Sequence, residues 1–168
     1  MNLWLAVKNI LFVILVPSAV AGYLPYLILR KSGDLACPSM SVRTLLSAML
    51  CLPGICILAN CVWEFAAYGR ATPAPFDPPK RLVAHGMYRY TRNPMYSGVL
   101  LILLSETLLF ASRAMLIYVI AVFAGFNLYV LLFEEPRLRK RFGESYKGYC
   151  RAVPRWGFTF RSRAGLGG

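Results

Sequence analysis

Long apolar runs alternate with short polar segments along the chain, and four of the runs are long enough to cross a bilayer: about Leu3 to Leu29, Thr44 to Tyr68, Met95 to Ala111 and Ala114 to Phe133. A spanning helix takes roughly 20 residues; the third run is short, which predicts little tilt or a start in the interface. The first is far longer than the apolar part of a secretory signal and carries no small-residue cleavage site, so it reads as a span. Pro17 and Pro25 within it predict kinks of the kind membrane helices tolerate. Little more than Ser112-Arg113 joins the third and fourth runs, which predicts an antiparallel helical hairpin whose far ends, near Tyr96 and Glu134, lie side by side. Beyond Pro136, Leu138, Phe142, Tyr146 and Tyr149 recur at spacings of four, four and three. They form one face of a further helix with cations around the rest, which should lie on the membrane and partly roof the polar segments.

Composition supports a membrane protein. Of the 168 residues 58% are hydrophobic and 14% aromatic, with a mean hydropathy of +0.54, too apolar for a soluble domain of this size. The expected fold is therefore all-α: a polytopic membrane protein of about four transmembrane helices with a C-terminal helical hairpin and a cytoplasmic amphipathic tail helix, one domain over residues 1–168. The formal net charge is +12, and the cations are unevenly placed. They crowd Arg70 to Arg92 and the tail after Phe133, which by the positive-inside rule puts those segments and both termini in the cytoplasm. Attraction to anionic lipid headgroups explains such flanking charge, so membrane lipids, and not nucleic acid, are the expected partners. The five cysteines form no CxxC pair; they read as small apolar packers, without a metal or a disulfide framework.

Chemistry concentrates in one place. The linker from Gly69 to Pro79 is rich in proline, hence extended and stiff, and it delivers the polar, aromatic and basic segment Arg81 to Gly98 to the cytoplasmic end of the hairpin. Asn93-Pro94 suits the start of the third span, Asn as cap and Pro at the first helical position. Opposite stands Glu134-Glu135. Two carboxylates with Tyr88, Tyr90 and Tyr96 suit a positive centre, by charge pairing and cation–π contact. Arg89, Arg92 and the helix start suit a carboxylate. A zwitterion bearing a cation fits the combination. Each piece also has a plainer explanation, the tyrosines as interface anchors and the glutamates as a solvated helix end balanced by Arg137 and Arg139. Glu64 and Glu106 stand out as carboxyls within spans, where such groups face a cavity or a partner: Glu64 near the cytoplasmic end, and Glu106 deeper, within reach of Asn60 or Asn127. His85, the only histidine, reads as a loop residue.

The run Leu82-Val83-Ala84-His85-Gly86-Met87-Tyr88-Arg89-Tyr90-Thr91-Arg92-Asn93-Pro94-Met95-Tyr96-Ser97-Gly98 resembles the pattern LVxxGxYxxxRHPxYxG. Glu134-Glu135 with Leu138, Phe142-Gly143, Tyr146, Tyr149 and Val153-Pro154 resembles EExxLxxxFGxxYxxYxxxVP. Both patterns belong to the isoprenylcysteine carboxyl methyltransferase family, relatives of the membrane phospholipid N-methyltransferases, and the likeness covers roughly residues 70–157. The resemblance implies a membrane-embedded methyltransferase that takes S-adenosylmethionine from the cytosol and a lipophilic, small-molecule or lipidated acceptor from the bilayer. Carried over by position, the cofactor would meet Lys80, Arg81, Leu82, Val83, Tyr88, Asn93, Pro94, Met95, Tyr96 and Glu134, with Glu135 and Arg92 as the catalytic candidates. Two positions depart from the family. Asn93 replaces a histidine and cannot carry a proton charge, and Val130 stands where the eukaryotic enzymes hold the arginine associated with the acceptor's carboxylate.

Methyl transfer from a sulfonium is an in-line displacement that gains most from contact and water exclusion. An ionised carboxylate or thiolate acceptor needs no base, whereas an amine acceptor would call on Glu135 or a tyrosine. A phospholipid, amine or thiol methyltransferase of the same fold, a small transporter and a non-catalytic assembly protein are the competing functions. For a transporter, paired inverted halves are missing from the sequence.

Overall fold

The computed structural model describes residues 15–35, 39–64, 82, 84 and 86–159. Every regular element among them is helical: a π turn Ala19–Tyr23 leading into α1 (Leu24–Ser32), α2 (Val42–Glu64), a 3₁₀ turn Gly86–Arg89, α3 (Pro94–Phe110), α4 (Arg113–Tyr129), a second π turn Val130–Glu134, and α5 (Glu135–Ala152). Two helices are long and apolar enough to cross a membrane, Val42–Glu64 and the continuous run Arg113–Ala152 that joins α4, the π turn and α5; Pro94–Phe110 is apolar but shorter. Part of the expected first span and the end of the second fall outside the described residues.

Local chemistry explains the boundaries. Pro94 opens α3, where its missing N–H costs nothing. The helix ends at Ala111, held at φ 48° in the left-handed region. Ser112 then caps α4, its hydroxyl accepting a hydrogen bond from the Met115 N–H at 3.3 Å. A two-residue turn of this kind closes the α3–α4 hairpin. Asp34, just past α1, is tied to that turn, its carboxylate accepting from the hydroxyls of Ser112 at 2.5 Å and Ser32 at 2.8 Å. These bonds hold the Asp34 carboxyl below its ordinary range.

Where α2 and α3 cross, each helix presents a glycine. A β-carbon on Gly54 would sit 2.9 Å from the Gly98 carbonyl oxygen, and one on Gly98 would sit 3.0 Å from that of Gly54. Small residues of this kind let membrane helices approach backbone to backbone. About two turns away along both helices, the Ser47 hydroxyl donates to the Ser105 carbonyl at 2.9 Å, pinning the same pair. Leu29, Val99, Leu103, Met115 and Val119 fill the space between α1, α3 and α4. Many other large apolar side chains of α2 and α4, among them Met49, Leu52, Trp63, Ile117 and Ile120, face outward, the pattern expected where the surroundings are lipid.

The tail helix forms and turns its aromatic face inward. Tyr146, Tyr149 and Val153 are buried, with Leu138 and Phe142 packed on them and Leu82 and Ala84 from the loop before α3. Gly143 breaks the regular path at φ 51°, ψ −123°, a conformation that favours glycine, and so divides α5 into two segments.

Candidate functional site

The hairpin brings the start of α3 against the exit of α4. There the Tyr96 hydroxyl donates to Glu134 Oε2 at 3.1 Å, and the Tyr96 ring lies on Phe126 with centroids 4.6 Å apart. Tyr88 joins them from the 3₁₀ turn. Its residue keeps some exposed surface, but its hydroxyl is enclosed: burial first, and then the neighbouring Cys61, Glu134, Tyr149 and Tyr96, push that hydroxyl well above the usual tyrosine range. A phenol held in this way stays protonated and remains a hydrogen-bond donor; one such bond reaches the Cys61 thiol. The turn carrying Tyr88 is itself anchored, because the Tyr149 hydroxyl donates to the Tyr88 carbonyl oxygen at 2.7 Å. Three tyrosines and one carboxylate thus meet at the hairpin's end.

Glu135 faces another way and into a different environment. Arg155 grips both of its oxygens, Nε to Oε1 at 2.7 Å and Nη2 to Oε2 at 2.9 Å, in the fork geometry that makes arginine–carboxylate pairs strong. Arg92 Nη1 adds a bond to Oε1 at 3.0 Å and a second contact to Cys150 Sγ at 3.0 Å. Arg139 reaches Oε2 at 3.6 Å from a largely exposed position. The surrounding backbone is laced together: the Arg92 N–H donates to the Pro154 carbonyl at 2.9 Å and the Thr159 N–H to the Tyr90 carbonyl at 2.9 Å. The chain after α5 therefore straps the loop before α3 into place, and Trp156 fastens the strap to α4 by donating to Asn127 Oδ1 at 3.0 Å.

Of the residues expected to meet the cofactor, Tyr88, Tyr96 and Glu134 come together at the hairpin's end. Asn93 and Pro94 are buried one step behind it, and Leu82 packs under the aromatic face of α5; Met95 is half-buried in the first turn of α3. Lys80, Arg81, Val83 and His85 lie outside the described residues. The catalytic candidates Arg92 and Glu135 are bonded to each other.

Three expectations are corrected. Asn93 holds the cap position of α3 but its side chain does not cap; its amide donates instead to the Arg155 carbonyl at 3.1 Å, while the Ser97 hydroxyl takes up the Asn93 carbonyl at 3.0 Å. Asn127 is occupied by Trp156 and not by Glu106, and Glu106 Oε2 is buried without a hydrogen-bond partner. The Glu134-Glu135 pair is also not a solvated helix end: Glu135 is 5% exposed and its partners come chiefly from residues 92 and 155. Arg155 carries the largest role that sequence reasoning missed. Its position directly after Val153-Pro154 was the available signal, obscured by the many solvated cations around it.

No group of three or more His, Cys, Asp or Glu side chains suited to a metal ion occurs among the described residues. A cluster of acidic and aromatic side chains thus lies at the end of an apolar helical hairpin. The phospholipid methyltransferase family model matches residues 42–145 of the chain, which includes α2, the loop before α3, both hairpin helices and most of α5. The chain belongs to that family, which includes the isoprenylcysteine carboxyl methyltransferases, and the membership points to a membrane methyltransferase. The comparison with curated proteins finds no match, and that with solved structures finds none.

Proposed function

We propose that the chain is an integral-membrane methyltransferase that binds S-adenosylmethionine at the cytoplasmic face and methylates a lipophilic acceptor entering from the bilayer. The topology in this proposal has four spans with both termini cytoplasmic. The observation that carries it is the Tyr96–Glu134 hydrogen bond beside Tyr88, formed by residues of the two motifs that the family resemblance marks. When bound, S-adenosylmethionine supplies an electrophilic methyl on a sulfonium. The residues present suit that ligand: Glu134 and the tyrosine rings offer a negative and π-rich face for a positive centre. Arg92 Nε, a buried donor with no hydrogen-bond partner, offers a contact for a carboxylate.

The roles of this chain's residues follow. Glu134 and Tyr96 orient the positive centre; Tyr88 donates a hydrogen bond from a hydroxyl that does not ionise in the working range; Pro94, Asn93 and the strap after α5 exclude water from one side. Held contact of this kind can supply up to roughly 7 to 11 kcal/mol of a displacement barrier. Glu135 and Arg92 set the shape of the site and act by positioning, since both Glu135 oxygens are taken up by hydrogen bonds from Arg155 and Arg92. Val130 is 1% exposed, within the packed core, so no cation from that position meets an acceptor's carboxylate. That favours an amine or thiol acceptor over a prenylcysteine carboxylate.

The test is a binding titration followed by a transfer assay. Purified protein in lipid should bind S-adenosylmethionine by calorimetry, and Glu134→Ala combined with Tyr88→Ala should abolish the heat. Labelled methyl should then appear in a lipophilic product when native-cell membrane lipid is supplied. Absence of binding at millimolar cofactor overturns the proposal. Flux of a solute through proteoliposomes without methyl transfer would instead support a transporter.

A further inference from the structure

Glu64 lies in neither motif, yet from α2 it meets the turn that carries Tyr88. It is 9% exposed at the end of α2, and its Oε2 is buried with no hydrogen-bond partner. The chain makes room for this carboxyl in a specific way: residue 86 is glycine at φ +52°, and a β-carbon there would stand 2.6 Å from the Glu64 carboxyl carbon. A residue with a side chain there would displace the Glu64 carboxyl, and the positive φ itself favours glycine. One helical turn earlier on α2, Cys61 meets the Tyr88 hydroxyl. Tyr88 therefore neighbours Cys61 of α2, itself next to Glu64, as well as Tyr96 and Glu134 of the hairpin.

A buried carboxylate oxygen without a donor is costly, and such groups persist where a ligand supplies the missing partner. Glu134 already spends one oxygen on Tyr96, whereas the free oxygen of Glu64 can accept a hydrogen bond. A sulfonium has no N–H or O–H to donate; an ammonium has up to three. Resting on the methyltransferase reading, we infer that Glu64 binds a cationic nitrogen of a ligand in this site, complementing Glu134, which faces the sulfonium. Two ligands carry such a group, the α-ammonium of the cofactor's methionyl moiety and the ammonium of an amine acceptor.

Four probes and one conservative variant separate the sources. Glu64→Gln keeps the side-chain volume against Gly86 and removes the charge. If the cofactor's ammonium is the ligand, Glu64→Gln weakens S-adenosylmethionine and S-adenosylhomocysteine alike, each roughly tenfold or more, and leaves 5′-methylthioadenosine, which lacks the amino acid, unchanged. If the acceptor's ammonium is the ligand, all three nucleosides bind as before and the KM for an aminophospholipid in vesicles rises by a similar factor. The 5′-methylthioadenosine measurement also reports whether the variant has kept its folded site. Equal weakening of all three nucleosides, or no change in any of them or in the KM, overturns the assignment to Glu64 alone. Loss of S-adenosylmethionine with S-adenosylhomocysteine spared also overturns it, since that outcome puts the sulfonium at Glu64. Wild-type protein that binds none of the nucleosides overturns both this inference and the methyltransferase reading.

Discussion

Replacing Glu135 with alanine should destabilise the folded protein more than removing any other carboxylate described in the structure. Its side chain is 6% exposed and bonded to Arg155 and Arg92 at 2.7 and 3.0 Å, with a second Arg155 contact at 2.9 Å. Charge-assisted hydrogen bonds contribute about 1.5 to 3 kcal/mol each, and the lower end applies to Arg155, which is 27% exposed. The Arg139 contact, at 3.6 Å from a 60% exposed side chain, adds at most about 1 kcal/mol. Truncation also strands Arg92, 14% exposed, without its carboxylate, and breaking a buried pair in this way costs about 3 to 5 kcal/mol. Expressed as a thermal midpoint in detergent, that is a drop of about 10 °C for a chain of this length.

The cycle with Arg155 makes the expectation specific. Arg155→Ala leaves Glu135 bonded to Arg92 and should cost less, about 2 kcal/mol; the double variant should then cost about 1 to 2 kcal/mol less than the two single losses summed. Unfolding of all four proteins, measured at one pH in one detergent, supplies the coupling. A Glu135→Ala loss below about 0.5 kcal/mol with no coupling to Arg155 would refute the positioning role. If Glu135 were a proton relay instead, Glu135→Gln would abolish turnover while leaving both stability and cofactor affinity at the wild-type level.

Tyr96→Phe removes only the hydroxyl that holds Glu134, and cofactor affinity by calorimetry should fall about tenfold with the thermal midpoint nearly unchanged; unaltered affinity would argue against the Tyr96–Glu134 pair as a ligand contact. Gly54→Ala drives a β-carbon to 2.9 Å from the Gly98 carbonyl, so the α2–α3 crossing must open, at a cost of about 1 to 3 kcal/mol in the same unfolding assay. Tyr88, whose ionisation is pushed up, should stay neutral at about pH 10, where absorbance should show the same number of tyrosinates in wild type and Tyr88→Phe. The sign for stability follows: an unfolded chain ionises this phenol near its ordinary value while the folded chain does not, so stability is complete below about pH 10 and declines above it.

The hairpin was legible because its cause is local. Two apolar runs separated by Ser112-Arg113 leave the chain no route but an antiparallel return, and that alone brings Tyr96 to Glu134. The face of α5 was legible for the same reason, since Tyr146 and Tyr149 follow helical periodicity and are the residues that become buried. The strap was not. Arg155 is one of 19 lysines and arginines, and only its place in space, 20 positions from Glu135 in the chain, separates it from its solvated neighbours. Periodicity has nothing to say about a pairing between a loop and a helix start. Asn93 illustrates a subtler limit: the sequence suits a cap, but the strap offers a carbonyl that takes the amide first, so tertiary contact overrides local propensity.

Adjacent glutamates with separate environments need a structural cause, and the backbone contains one. Consecutive helical residues point about 100° apart, so Glu134 and Glu135 already diverge, one towards Tyr96 and the other towards Arg92 and Arg155. The π turn Val130–Glu134 ends on the first of them. A single π turn inserts a residue without breaking the helix, which shifts the register of everything after it, and such turns are frequent at functional sites. Upstream of the turn, α4 keeps the face that packs Met115 and Val119 against α3; downstream, α5 keeps the face that buries Tyr146 and Tyr149. With uninterrupted α-helical register the two faces would be offset by about one residue, and a fixed α4 would carry Glu134 away from Tyr96. The π turn thus reconciles the packing of the hairpin with that of α5 while leaving one carboxylate to the strap and the other to Tyr96.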